Sequence, residues 1–364
     1  MWNLSKYDSI EALKMPMIKR TLSRYVKIIT EGLPARFLIS KRIVFNFDKS
    51  MTTKQLWRAH EEMMKSFYQT QIAIDRGKLD FEELGIPRFS LLDLKIKLVE
   101  SMLKSCDLCE HACSVDRTQG QKGKCRVGET EDCIISSENI HMGEEAHIIP
   151  SHTIFFMGCN LHCQFCQNWS ISQWKEQGYV VAPERLAEII ETRRQDGARN
   201  VNWVGGEPTP QLLCVLKTLK GSETNTPQIW NSNFYMSERT MQMLDGVVDM
   251  YLSDFKYGNS DCARHISKIP DYFQIAARNH RLAAKQAEIT IRHLVLPDHV
   301  DCCTKPVFKW IAKNIRAQAI VNIMDQYYPA YNAYEFTNLK RRVDELEMKE
   351  AINYAKKLKL KFVT

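Results

Sequence analysis

Three cysteines, Cys159, Cys163 and Cys166, stand at C-x3-C-x2-C spacing in the run Met157-Gly-Cys-Asn-Leu-His-Cys-Gln-Phe-Cys-Gln. Iron-sulfur cubanes usually take four protein thiolates, and the next cysteine, Cys214, lies far downstream. The loop therefore predicts a 4Fe-4S cluster with one iron left open for a small molecule. A zinc knuckle completed by His162 or His152 is the competing reading, although zinc sites typically pair one C-x2-C with a second. Three buried thiols without a metal are the plainest reading.

Such a loop needs a rigid support. Thr153-Ile-Phe-Phe-Met-Gly is a short apolar, β-rich run that stops where the cysteines begin, so the loop is expected at the C-terminal end of a strand. Parallel α/β folds place their reacting groups there. A second junction follows in Val201-Asn-Trp-Val-Gly-Gly-Glu-Pro-Thr-Pro. Gly205 and Gly206 let backbone approach a ligand closely, and the Glu207 carboxylate suits a cation; taken alone, the segment is an ordinary strand-to-helix turn. Strands and helices then alternate: helix 183–195, strand 200–204, helix 211–219, strand 228–231, helix 237–244, strand 248–256, helix 271–287, strand 289–296, helix 305–315 and strand 320–327. With the strand before the cysteines these make an α/β fold, a partial (β/α)6 barrel.

Together these features resemble the radical S-adenosylmethionine (SAM) superfamily. The resemblance rests on the three cysteines, with Phe165 just before the third, and on Gly205-Gly206-Glu207, which matches the family's Gly-Gly-Glu motif. It implies a barrel open on one side, where a large protein or nucleic-acid substrate enters. It also implies that S-adenosylmethionine chelates the open iron, that Gly205, Gly206 and Glu207 bind its methionyl ammonium, and that reductive cleavage gives a 5′-deoxyadenosyl radical. A narrower similarity, to the PflX group, which is itself similar to the pyruvate formate-lyase activating enzyme, covers about residues 103–334. It rests on Cys106 to Cys113 with Gly120-x2-Gly-x-Cys-Arg, Cys159 to Trp169, Tyr251 to Tyr257, Ile291 to Pro297 and Asn322 to Tyr327. By that similarity Phe165, Asn231, Asp254, Lys256, Arg292 and Gln326 are expected at the cofactor, and Lys256 suits a bound carboxylate. A surface ion pair between Asp254 and Lys256 is the alternative. His293 alternates away from Arg292 and is expected to pack rather than react.

Cys106, Cys109, Cys113 and Cys125 form a second set, C-x2-C-x3-C-x11-C, which the activases lack. Four thiolates with glycines to bend the chain can close a tetrahedral site, and zinc, iron and iron-sulfur all remain open. The site is either a structural clamp or a centre that relays electrons or meets substrate. His111 could replace a cysteine, but the set is already filled. Clustered thiols at metal spacing, with no signal peptide, fit a reducing cytosol better than disulfides. Cys133, Cys214, Cys262, Cys302 and Cys303 remain, each expected to be a small buried hydrophobe; Cys302 and Cys303 are kept as a lesser candidate for substrate contact or a redox role.

At 364 residues and 44% hydrophobic content, the chain exceeds one usual core and reads as globular. Residues 1–102 are expected to form a helical N-terminal region, with Leu56, Met63 and Phe67 near helical spacing, packed on the barrel's open side or shaping the substrate entrance. Residues 103–150 make the four-cysteine metal-binding segment, 151–334 the barrel, and 335–364 a C-terminal helical extension. No 18-residue apolar run appears, and the first 20 residues lack an apolar h-region, so a cytoplasmic location without a membrane is expected. The net charge of +7 is spread out; nucleic-acid affinity is open, but a solvated face is the simpler account. The expected function is a radical SAM oxidoreductase, similar to glycyl-radical activases. An electron donor such as flavodoxin or ferredoxin would feed it, and its substrate would be a protein residue. Radical modification of RNA and a metal-binding scaffold without turnover are the alternatives.

Overall fold

The computed structural model describes residues 9–128, 131–143, 145–173 and 176–364. Nine strands form one sheet: β1 (Cys133–His141), β2 (Ser151–Phe156), β3 (Tyr179–Val181), β4 (Val201–Gly205), β5 (Gln228–Ser232), β6 (Met250–Asp254), β7 (Glu288–Leu294), β8 (Ala319–Met324) and β9 (Phe362–Val363). Their order is β3-β1-β2-β4-β5-β6-β7-β8-β9, with β3 and β9 at the edges. The six expected strands, β2 and β4 to β8, run parallel to one another in sequence order. Strands covered on both faces read as continuous apolar runs rather than alternating ones, and every residue of β5 is buried.

Of the remaining strands, β3 lies inside the expected barrel stretch without having been expected, and β1 and β9 come from stretches that the sequence reading gave to other regions. β1 lies in the 103–150 stretch and pairs antiparallel with β2 and β3, while β9, near the C-terminus, pairs parallel with β8. Helix Ser260–Ser267 fills a connection that was expected to be irregular; Asn259 starts it by accepting the Cys262 N–H at 2.8 Å.

Register decides which side chains meet. Asn231 is opposite Leu252, Asp254 opposite Arg292, Arg292 opposite Asn322, and Leu294 opposite Met324. Paired residues share a face, as do residues two apart along a strand. The inner face therefore carries Asn231, Asp254 and Arg292 toward the C-terminal ends and Ile229, Met250, Leu252 and Ile320 below them. That lower layer packs with Ile18, Leu22, Tyr25 and Ile148 in a separate apolar cluster. The helices Pro16–Thr21 and Ser23–Glu31 thus close the barrel floor. Glu288, at the start of β7, accepts the backbone N–H groups of Arg24 and Tyr25 at 2.7 and 2.8 Å, satisfying donors that a helix N-terminus leaves unpaired.

Helices Thr53–Asp75 and Leu91–Leu103 join the larger core outside the sheet. Capping boxes start both, Thr52 with Gln55 and Ser90 with Asp93. Leu56, Met63 and Phe67 are buried as their spacing implied, and Leu91–Leu103 packs against helix Leu212–Gly221.

One ion-pair group fastens the β1–β2 hairpin to helix Pro183–Gln195. The Glu138 carboxylate accepts from Arg193 Nη2 at 2.6 Å, Arg193 Nε at 2.9 Å and His152 Nε2 at 2.9 Å. Arg193 first and His152 second hold its pKa down, from 4.5 to about 2. A depressed carboxylate stabilises the fold above its unfolded pKa and loses that contribution as pH falls through the folded one. Glu138→Gln should therefore flatten the loss of unfolding free energy between pH 4.5 and pH 2. Urea titrations across that window test it; identical slopes would show that the group contributes nothing.

Candidate functional site

The cysteine loop leaves β2 and crosses the strand ends, fastened on both sides. Met157 N bonds Ile134 O at 3.0 Å, Gly158 N bonds Ile171 O at 3.0 Å, His162 N bonds Ser267 O at 3.2 Å, and Gln164 N bonds Ile266 O at 2.9 Å. Every sulfur has a polar neighbour. Leu161 N–H donates to Cys159 Sγ at 3.3 Å, Ser267 Oγ donates to Cys163 Sγ at 2.9 Å, and Ser172 Oγ lies 3.2 Å from Cys166 Sγ. Hydrogen bonds to sulfur tune a metal-bound thiolate. Burial pushes all three thiols up, Cys163 to about 11 despite the nearby Lys256 charge. They stay protonated until a metal displaces the protons.

Both histidines of the zinc-knuckle reading have a hydrogen-bond partner on one ring nitrogen. His162 Nδ1 is 2.9 Å from Gln173 Oε1, and His152 is held by Glu138.

Gly205 and Gly206 turn out to make room for the chain itself. Gly205 has φ +122°, and a Cβ there would lie 2.1 Å from Phe156 N; at Gly206 it would lie 2.1 Å from Gly158 O. The end of β4 thus presses directly on the end of β2 and the first turn of the cysteine loop, joined by Gly206 N to Phe156 O at 2.9 Å. Glu207 follows, buried. One of its oxygens accepts from Thr209 Oγ1 at 2.5 Å, Ser232 Oγ at 2.7 Å and Thr209 N at 3.3 Å, and the other from Asn233 N at 2.9 Å. The second oxygen keeps a free acceptor position. Burial raises the Glu207 pKa, and these bonds oppose it.

One cavity with about 950 Å³ of empty volume gathers the expected residues. Cys159, Cys163 and Cys166 line it together with Phe165, Gly205, Gly206 and Glu207. The strand ends add Asn231, Asp254, Lys256, Arg292 and Gln326. Asp254 and Lys256 do form an ion pair, at 2.5 Å, but it stands in the cavity wall rather than on an open surface. Burial would lower the Lys256 pKa, and the charges of Asp254 and Cys163 outweigh it, so the net direction is up. Arg292 Nη1 donates to Asn231 Oδ1 at 3.4 Å. The buried Asn231 Nδ2 has no acceptor. Such an orphan in a cavity wall calls for a ligand that brings one, as a carboxylate or a ribose hydroxyl does. His293 is packed as expected, 2.7 Å from Phe255 O and 2.9 Å from Thr304 Oγ1.

The upstream cysteines lie against this loop. His111 Nε2 is 2.7 Å from Asn160 O, Arg126 Nη1 donates to Gln173 O at 2.7 Å, and Asn160 also hydrogen-bonds Cys109. None of Cys106, Cys109, Cys113 and Cys125 is in a disulfide. The loop wraps closely round one sulfur: a Cβ on Gly123 would be 2.9 Å from Cys113 Sγ.

Two groupings were not foreseen. Cys133 on β1 and Cys214 on helix Leu212–Gly221 have their sulfurs in bonding contact, with Cα atoms 5.4 Å apart. Cys262, His299, Cys302 and Cys303, three of them expected to be isolated hydrophobes, bring all four ligand atoms within 4.8 Å of one another. The run His299-x2-Cys302-Cys303 after a strand was the signal available for the second.

Residues 153–311 match the family model described as the Radical SAM superfamily. An uncharacterized protein of Methanocaldococcus jannaschii is 42% identical over 348 residues, covering 94% of this chain and 99% of that protein. The pyruvate formate-lyase-activating enzyme of Clostridium pasteurianum is 26% identical over 211 residues, 53% of this chain and 82% of that protein. Among solved structures, Streptococcus suis SuiB bound to precursor peptide SuiA is similar at TM-score 0.46 and 13% identity, covering 87% of this chain and 67% of that one. No helix among the described residues is long and apolar enough to cross a membrane. The chain belongs to the radical SAM superfamily and is similar within it to the pyruvate formate-lyase-activating enzymes.

Proposed function

We propose that this protein uses a 4Fe-4S cluster and S-adenosylmethionine to abstract hydrogen from a residue of a partner protein. One observation carries the reading: a single cavity joins three hydrogen-bonded thiols to a ring of polar groups at five strand ends. Cys159, Cys163 and Cys166 would hold the cluster, whose chemistry is one-electron reduction of S-adenosylmethionine to a 5′-deoxyadenosyl radical. The free acceptor position on Glu207 suits the methionyl ammonium. Asn231 Nδ2, Arg292 and Lys256 offer donors to the carboxylate and ribose, while Phe165 and Gln326 wall the far side. Asp254 keeps Lys256 charged and in place.

The substrate side is a second cavity, with about 830 Å³ of empty volume, sharing Arg292, Met324 and Gln326 with the first. Gly143, Glu145 and His147 line it together with the end of β8 and with Met15 and Ile18 of the N-terminal region. On this reading a segment of the partner protein would bind there. Glu145 stands at the junction, accepting from Asn322 Nδ2 at 2.8 Å, with Arg292 Nε 3.6 Å away. The name of the Clostridium relative likewise points to an enzyme as substrate. Electrons would come from a small reductant such as flavodoxin or ferredoxin, and the adjacent four-cysteine segment would relay them if it holds iron. The scaffold alternative leaves the orphan donor of Asn231 unexplained, and the dispersed charge gives RNA no defined track.

Three results test the reading. In protein reconstituted anaerobically with iron and sulfide, dithionite and S-adenosylmethionine should yield 5′-deoxyadenosine, and Cys163→Ala should reduce the yield to background while the upstream cysteines stay metallated; retained cleavage would refute the assignment. Asn231→Ala removes a donor to a charged ligand, a loss of about 1.5–3 kcal/mol. S-adenosylmethionine should bind roughly 10- to 100-fold more weakly by equilibrium dialysis, and an unchanged Kd would exclude the contact. Gly206→Ala forces backbone apart, at a cost of about 1–3 kcal/mol, and should lower both the melting temperature and the iron retained. Full iron retention would show that the β2–β4 contact does not position the loop.

A further inference from the structure

We propose that Cys262, His299, Cys302 and Cys303 hold a mononuclear tetrahedral metal ion of the zinc class, which pins together the connections that follow β6 and β7. The inference uses none of the radical-site residues and stands apart from that reading. With Zn–S near 2.3 Å and Zn–N near 2.0 Å, tetrahedral edges come to about 3.8 Å between sulfurs and about 3.5 Å from sulfur to nitrogen. Four of the observed edges lie within 0.4 Å above these values and one, to His299, lies about 0.4 Å below. Cys262 Sγ is 3.8 Å from Cys302 Sγ, and Cys302 Sγ is 3.9 Å from Cys303 Sγ. His299 Nδ1 is 3.1, 3.7 and 3.9 Å from the sulfurs of Cys302, Cys262 and Cys303. A disulfide would need sulfurs near 2.05 Å, and all three cysteines are free. A cubane would hold its thiolates farther apart, around a larger body.

The surroundings are those of a ligand shell. Asn259 Nδ2 donates to Cys262 Sγ at 3.2 Å and to Cys302 O at 2.8 Å, and lies 4.0 Å from Cys303 Sγ. His299 Nε2 is 2.7 Å from Asn338 Nδ2; turning that carboxamide over puts its Oδ1 there to accept from Nε2–H, which leaves Nδ1 bare for a metal. His299 and Cys303 are buried while Cys262 and Cys302 are half-buried, so the ion has a way in. Three thiolates and one imidazole, closed and without a free position, make a structural centre. What it fastens is helix Ser260–Ser267: Cys262 sits in its first turn, and Ile266 and Ser267 at its other end hold the backbone and sulfur of the Cys163 turn.

The test is metal analysis of the anaerobically purified full-length protein beside Cys302→Ser and His299→Ala. Each variant should lose one equivalent of zinc with iron and sulfide unchanged. Cobalt(II) introduced in place of zinc should give thiolate-to-cobalt charge-transfer and tetrahedral d–d absorption that both variants lack. Equal zinc and cobalt in all three proteins would overturn the proposal, as would loss of iron and sulfide in place of zinc. Should either variant fail to fold, X-ray absorption at the zinc edge of the unsubstituted protein decides the matter: a mixed sulfur and imidazole shell supports the site, and a shell of sulfur alone, or the absence of zinc, overturns it.

Discussion

The contact on which the site depends has no side chain in it. At the end of β4 the backbone of Gly205 and Gly206 lies so close to Phe156 and Gly158 that a Cβ on either glycine would come within 2.1 Å of a main-chain atom. That approach fixes the start of the cysteine loop against the turn that carries Glu207. A side chain there would shift one junction off the other, and interiors packed to crystal density absorb such shifts poorly. Parallel pairing then carries the alignment across the sheet, because each strand end is set by its neighbour. Asn231, Asp254 and Arg292 reach the same cavity for that reason, and Arg292 then bonds Asn231 across it.

Burial gives this arrangement its electrostatic character. It raises the three loop thiols and Glu207 together, so the site resists accumulating negative charge. Lys256 works in the opposite sense: burial would lower its pKa, yet Asp254 and Cys163 hold it up. A cavity that disfavours bare anions, keeps a cation and leaves a buried amide donor unpaired is prepared for a ligand carrying both charges. On the proposed reading the zwitterionic methionyl end of S-adenosylmethionine answers each of these needs, its ammonium to Glu207 and its carboxylate to the cationic side.

The core of the fold was legible because parallel strands buried on both faces appear as apolar runs, and their ends as glycine, acid and proline punctuation. Helix Pro183–Gln195 begins at its proline and ends as its pattern implied. What escaped the reading was short or dispersed. β3 and β9 have three and two residues, too few for periodicity, and helix Ser260–Ser267 covers only eight. The role of the two glycines was read as access for a ligand, since no sequence shows which backbone will lie alongside. Cys262 and the His299-to-Cys303 run are separated by an entire helix and strand, and only the parallel register of β6 and β7 brings their connections together. The same holds for Cys133 and Cys214, joined by topology and not by spacing.

The cysteine loop is therefore held by two flanks of different origin. On one side the upstream segment reaches it through His111 on Asn160 and Arg126 on Gln173; on the other, helix Ser260–Ser267 holds His162, Cys163 and Gln164. Each flank carries its own set of thiols. On the proposed reading the loop presents an open iron to a partner protein, so its outer face has to stay accessible and a large apolar core cannot hold it. Metal ions held by the two flanking sets would supply rigidity without covering that face, because an ion draws on a few side chains where packing would need a layer of them. On this argument the extra cysteines follow from the access that the reacting centre needs.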